Sequence, residues 1–322
     1  MTTPSADAAA PGRRRPPPSS RWSFSDERMA RCGGIELCYR TLGDPAGRPL
    51  LMIMGLASQM YLWPEGLCQA LADRGHFLVL FDNRDVGRST HLKEAGHPPV
   101  LRAILRALLG LPVRAPYTLD DMAGDAAGLL DVLGVERAHV CGVSLGGMIG
   151  QTLAIRRPER VLSLTSIMAS GGNRRRRPTA RAIRAVVRRN RVRSREQYVE
   201  RFVELFRTIG SPAFPFEEAF FRSYAELAWQ RGLSRDGIAR QLVALIAHGD
   251  RGPALARLRL PTLVIHGDRD PLVPLAGGLD VARAVPGAEL LVVEGMGHDL
   301  PRAVWPRVVD AISALTERAG TT

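Results

Sequence analysis

Apolar positions along this chain fall into two arrangements that take turns. Short, mostly apolar runs stand at residues 50–54, 77–81, 138–141, 161–168, 262–265 and 289–293, the fourth interrupted by Ser163, Thr165 and Ser166. Runs of this length, rich in Val, Ile and Leu, suit strands covered on both faces. Between them lie longer stretches with helical spacing, at residues 64–74, from Thr118 to Leu133, at 145–157 and at 303–318. Thr118 and Asp121 form a capping pair at the start of the second of these. Residues 31–42 read as a hairpin turning at Gly33-Gly34, with alternation resuming at Ile35. Strands alternating with helices at this spacing predict an α/β fold, a mostly parallel central sheet flanked by helices.

The alternation stops at about residue 169 and resumes near 258. The intervening segment carries helical patterns without a convincing strand, and six of the nine phenylalanines fall in it: Phe202, Phe206, Phe214, Phe216, Phe220 and Phe221. Tyr198, Tyr224 and Trp229 add to the cluster. We therefore expect an α/β core from residues 22–168 and 259–322, with an inserted helical cap at 169–258. The aromatics serve either the cap's own core or a site beneath it. Residues 1–21, rich in Pro, Ala and Ser around Arg13-Arg14-Arg15 and lacking an apolar stretch, read as a disordered tail rather than a secretory leader.

Charge changes the picture only after it is localised. The net charge is +12. Residues 1–21 contribute +3, and residues 174–195, which open on Arg174 and close on Arg195, contribute +11, leaving the remainder at −2. The body is near neutral. Lys93 is the sole lysine among 44 basic residues, so the arginine excess is compositional. Cys32, Cys38, Cys68 and Cys141 show no paired spacing and are expected to be buried free thiols in a reducing cytoplasm.

Candidate chemistry centres on Gly142-Val143-Ser144-Leu145-Gly146. A serine hydroxyl attacks only when a base takes its proton and the backbone holds it in reach. Strand, sharp turn and helix, with glycines on both flanks, is the nucleophile elbow, and this pentapeptide sits between a predicted strand and a predicted helix. The chain order of such sites is serine, acid, histidine, each after a strand. Seven histidines compete for the base. His139 and His266 lie within strands or at their ends, and His76, His91, His97 and His248 lack a following helix to hold them. His298, in Gly295-Met296-Gly297-His298-Asp299, follows the last strand and precedes the closing helix. Asp268 and Asp270 follow the strand at 262–265. Asp270 is the expected acid and Asp268 a turn or capping residue. The oxyanion hole then draws on the backbone N–H of Leu145 and of Leu56, the latter in the loop after the strand at 50–54.

At these residues the chain resembles the α/β-hydrolases, specifically the branch containing aclacinomycin methylesterase and related bacterial carboxylesterases. The resemblance rests on Met54-Gly55, on residues 81–90 (Phe-Asp-Asn-Arg-Asp-Val-Gly-Arg-Ser-Thr), on the elbow, on Asp270-Pro271 and on Gly295-Met296-Gly297-His298. It implies a triad of Ser144, Asp270 and His298 and no cofactor. Met54-Gly55 replaces the His-Gly of the wider superfamily's oxyanion loop, and residues 101–108 look like an amphipathic insertion beside the site. Asp82, Arg84 and Arg88 are expected to brace the elbow without taking part in chemistry.

The resulting expectation is a serine hydrolase cleaving a small carboxylic ester, apolar or aromatic-bearing, through an acyl-enzyme. A lactonase, thioesterase, amidase or C–C hydrolase uses the same residues. Ser144 argues against dehalogenases and epoxide hydrolases, which attack with a carboxylate. A reading from another class starts from Arg181, Arg184, Arg188 and Arg191. These recur at helical spacing opposite Ile183, Val186 and Val187, a basic helix suited to a membrane surface or nucleic acid on a degenerate core.

Overall fold

In the computed structural model, which describes residues 21–189 and 192–320, the six apolar runs and the hairpin before them form one eight-stranded sheet. The expected tail therefore lies outside the described residues except for Arg21, as does Arg191 of the basic segment. In chain order the strands are β1 (Arg28–Cys32), β2 (Ile35–Leu42), β3 (Arg48–Ile53), β4 (His76–Phe81), β5 (Ala138–Val143), β6 (Val161–Ile167), β7 (Thr262–Gly267) and β8 (Glu289–Val293). Their spatial order is β1-β2-β4-β3-β5-β6-β7-β8. Only the β1–β2 and β2–β4 pairings are antiparallel.

Eleven helices accompany these strands among the described residues. Before β6 come α1 (Glu65–Asp73), α2 (Val100–Leu108), α3 (Leu119–Val132) and α4 (Leu145–Arg156). Between β6 and β7 run α5 (Ala180–Arg189), α6 (Arg195–Ile209), α7 (Glu218–Arg231), α8 (Arg235–His248) and α9 (Gly252–Leu255). The chain closes with α10 (Leu275–Ala284) and α11 (Trp305–Ala319). The last starts two residues later than its periodicity suggests, because a 3-10 turn at Arg302–Val304 precedes it and Pro306 occupies its first turn.

Period two along the central strands builds the layers. Leu51 and Ile53 face α3 and α4, whereas Leu50 and Met52 face α1 and α11. All four are buried, which is why β3 reads as an unbroken apolar run. β8 departs from that pattern. As the sheet edge it leaves Leu290 and Val292 exposed. The expected cap at α3 is present, with Asp121 N–H reaching Thr118 Oγ1 at 3.4 Å and Thr118 N–H reaching Asp121 Oδ2 at 2.7 Å.

Helices α5 to α7 gather around their own aromatic cluster, in which Phe202 lies 5.0 Å from both Phe206 and Tyr224, centroid to centroid. In α5, Ala182 and Ala185 face inward, while Ile183 and Val187 are exposed. The apolar residues of the basic helix are thus divided between faces and do not form one stripe. The four cysteines are free and buried. No helix among the described residues is long and apolar enough to cross a membrane.

Candidate active site

β5 ends and α4 begins at Ser144, whose backbone takes φ 56° and ψ −119°. Such a conformation costs a non-glycine residue about 1–3 kcal/mol and persists only where its surroundings impose it. Here Ser144 N–H donates to the Ile167 carbonyl at 2.8 Å, and its own carbonyl accepts from Met148 N–H at 3.1 Å. The flanking glycines are required by contact. A Cβ on Gly142 would stand 2.2 Å from the Gly146 carbonyl oxygen, and one on Gly146 would stand 2.0 Å from that of Ile53. Leu145 opens α4, so its N–H lies at the positive end of the helix.

Asp270 lies in the turn after β7 with its side chain fully buried. Its Oδ1 accepts the backbone N–H groups of Leu272 and Val273, each at 2.8 Å. Its Oδ2 meets Nδ1 of His298 at 2.6 Å. A carboxylate so engaged accepts, so Nδ1 carries the proton and Nε2 is left as the basic nitrogen. His266 stands behind this pair, its Nε2 3.7 Å from Asp270 Oδ2. That nitrogen is committed to the Val273 carbonyl at 2.8 Å, and burial pushes the ring's pKa down, so it stays neutral. Asp268 stands in the turn after β7, as expected. It reaches across to the histidine loop and accepts Gly295 N–H at 2.6 Å.

Three cap residues hold that loop as well. Ile209 carbonyl accepts His298 N–H at 2.7 Å, and Ser211 Oγ accepts Gly297 N–H at 2.9 Å. Ser211 Oγ in turn donates to Asp299, and Ala213 N–H reaches the Gly295 carbonyl at 3.4 Å. Burial pushes the Asp299 carboxyl up from its ordinary pKa.

Gly55 brings the loop after β3 against the serine, since a Cβ there would lie 3.3 Å from Ser144 Cβ. Residues 82–90 brace this loop and the cap more than the elbow, which revises the expected role of Asp82, Arg84 and Arg88. Asn83 Nδ2 donates to the Met54 carbonyl at 2.9 Å, and Asp82 Oδ1 accepts Met60 N–H at 2.9 Å. Arg88 uses its backbone N–H on Asp82 and its guanidinium on Glu27, and Arg84 pairs with Asp125 on α3.

Sequence reasoning missed the partners that the cap supplies. Arg231 of α7 donates to Asp82 at 2.8 Å and to Glu27 at 2.9 Å. Arg240 of α8 clasps Asp85 through two nitrogens, at 2.8 and 2.7 Å. Burial pushes Asp85 up, but the bonds from Arg240, Leu92 N–H and Tyr117 prevail and hold it below the ordinary carboxylate range. Gln241 accepts Ala57 N–H and donates to the Arg84 carbonyl. The available signal was the pair of acids, Asp82 and Asp85, directly after an apolar strand, where buried carboxylates demand cations. The arginine excess concealed which ones answer.

Ser144 and His298 line one cleft between sheet and cap, enclosing about 1020 Å³ with its open mouth included. Gly55 and Leu56 form part of its wall. Of the cap aromatics, Phe206, Phe220 and Phe221 reach it, and the rings of Phe206 and Phe221 stack 4.3 Å apart. Tyr198, Phe202 and Tyr224 are buried in the cap's own core. The walls are largely apolar, with Asp299 and Glu217 among the few charged groups. The stretch at 101–108, expected beside the site, forms α2 instead and packs against α8, away from the cleft lining.

The sheet order, the strained serine turn and the buried acid–histidine pair define an α/β-hydrolase. A model of the alpha/beta hydrolase fold matches residues 48–301, and the chain belongs to that family. It is 32% identical over 312 residues to rhodomycin D methylesterase DauP of Streptomyces sp. (strain C5), covering 91% of this chain and 98% of that protein. The corresponding DnrP of Streptomyces peucetius is 31% identical with the same coverage. Among solved structures, the enol-lactonase from Burkholderia xenovorans LB400 superposes with a TM-score of 0.66 at 22% identity, over 92% of this chain and all (100%) of that one.

Proposed function

We propose that this protein is a serine hydrolase that cleaves a carboxylic ester, with Ser144 as nucleophile, His298 as base and Asp270 as the group that orients it. The observation that carries the reading is the His298 Nδ1–Asp270 Oδ2 contact of 2.6 Å at a cleft that Ser144 also lines. His298 Nε2 takes the Ser144 hydroxyl proton as Oγ bonds to the ester carbonyl carbon. The carbonyl oxygen becomes an oxyanion, received by the N–H groups of Leu56 and Leu145. Collapse breaks the C–O bond, and the alkoxide leaves with the proton from His298, giving alcohol and acyl-enzyme. Water then repeats the sequence, His298 removing its proton, and releases the acid and free Ser144. Residues 169–258 act in this reading as the cap that closes the cleft.

The Streptomyces relatives, named as methylesterases of rhodomycin D, support a methyl ester as the scissile group. The apolar walls and the rings of Phe206, Phe220 and Phe221 support an acid portion with an extended apolar or aromatic body. The test is hydrolysis of methyl esters of polycyclic aromatic acids against short aliphatic esters, with Ser144→Ala as control. The reading expects kcat/KM to favour the aromatic esters and to collapse in the variant. Equal rates for both proteins would reject it.

A further inference from the structure

Surface helices ordinarily turn their large apolar residues inward, and α2 does the reverse. Its buried position is Ala103, whereas Leu101 is 81% exposed, Leu105 56% and Leu108 59%. Leu109, one residue beyond the helix, is 65% exposed. At 100° per residue these four, with the exposed Ile104, occupy one continuous face. That face is turned to solvent, with Ala103 buried behind it, and the helix packs against α8.

The surrounding charge has one sign. Between Ala95 and Leu119 the only formally charged side chains are Arg102, Arg106 and Arg114. Arg174 Nη1 donates to the Ala107 carbonyl at 2.8 Å, which brings the start of the run from Arg174 to Arg177 to the C-terminal end of α2. Arg174, Arg175 and Arg177 are exposed. Two acids of the neighbouring elements are engaged, Asp280 by Arg176 and Asp236 by a hydrogen bond with His97.

We infer that α2 and the adjoining arginines form a docking surface for the anionic face of a lipid bilayer, with the leucines entering the acyl boundary and the guanidinium groups meeting phosphate headgroups. An anionic leaflet supplies both complements at once. A second copy of this chain would set arginine clusters against each other, and a nucleic acid would leave the leucines uncovered. Nine residues make a helix about 14 Å long, which lies in the interface and does not span it. Residues of this surface do not line the Ser144 cleft, so docking is independent of the catalytic reading.

The experiment is sedimentation of the full-length protein with vesicles of phosphatidylcholine alone or mixed with phosphatidylglycerol. Binding is expected only to the mixed vesicles, and it should weaken with added salt. Arg174→Ser/Arg175→Ser/Arg177→Ser should lower partitioning by about fivefold per arginine. Leu105→Asp/Leu108→Asp should abolish it, with thermal unfolding as the check on folding, and the arginine variant carries the test alone if this one fails to fold. Equal binding to both vesicle types, no binding, or binding indifferent to the arginines would overturn the inference. So would a wild-type dimer that the leucine variant turns into a monomer, or a preference for nucleic acid over the mixed vesicles.

Discussion

The backbone N–H of His298 donates to the carbonyl of Ile209 at 2.7 Å, so the proposed base is hydrogen-bonded to the last residue of α6. With Ser211 bonded to both Gly297 and Asp299, residues 209–211 hold the loop that carries His298.

Ser211→Ala leaves Gly297 N–H and the Asp299 carboxyl without this partner. The expected outcome is a fall in kcat of about ten- to hundredfold with little change in KM, since misplacing a catalytic group costs rate on this scale. Ser211→Thr, which keeps the hydroxyl, should restore most of it. Steady-state kinetics on a soluble ester decide the matter, and a change confined to KM would count against a positioning role.

Asp82 and Arg231 form an ion pair with side chains 0% and 2% exposed. Arg231→Met should destabilise the fold by about 3–5 kcal/mol, because it leaves a buried carboxylate uncompensated. Asp82→Asn/Arg231→Met should recover much of that loss. Urea denaturation of the single and double variants measures both quantities.

Burial pushes His139 down to about 4, so the folded protein keeps this ring neutral where the unfolded chain, with a histidine near 6.5, takes up a proton. The stability tied to this neutral ring is therefore fully present above pH 6.5 and is lost as pH falls from there towards 4. Denaturation midpoints across that window should decline less steeply in His139→Gln. Parallel profiles for the two proteins would contradict the assignment.

Phe220 borders the cleft from α7 without being fully buried. Phe220→Ala should raise KM for aromatic methyl esters about tenfold or more, the worth of one aromatic contact area, and leave short acetate esters nearly unchanged. Measuring both ester classes separates a wall of the pocket from a general packing defect.

The strands were legible because central strands covered on both faces must be apolar throughout, and the elbow because Gly142 and Gly146 admit no side chain. Chain order singled out His298 and narrowed the acid to Asp268 or Asp270, and the contact between Asp270 and His298 appears only in the fold. The cap's contribution was not legible. Arg231 and Arg240 are two arginines among 43, and nothing local distinguishes them from solvated ones. Ser211 lies 87 residues before His298, and only the folded cap joins them. Nor does periodicity reveal that α2 faces its leucines outward, because a helical stripe has no intrinsic inside.

The central claim is that Ser144 forms the acyl-enzyme. Incubating the protein with a fluorophosphonate and locating the adduct by peptide mass spectrometry tests it most directly. One adduct on Ser144, absent in Ser144→Ala together with a loss of esterase activity on the order of 10⁴-fold or more, is the predicted result. An adduct elsewhere, or equal labelling of the Ser144→Ala protein, would contradict it.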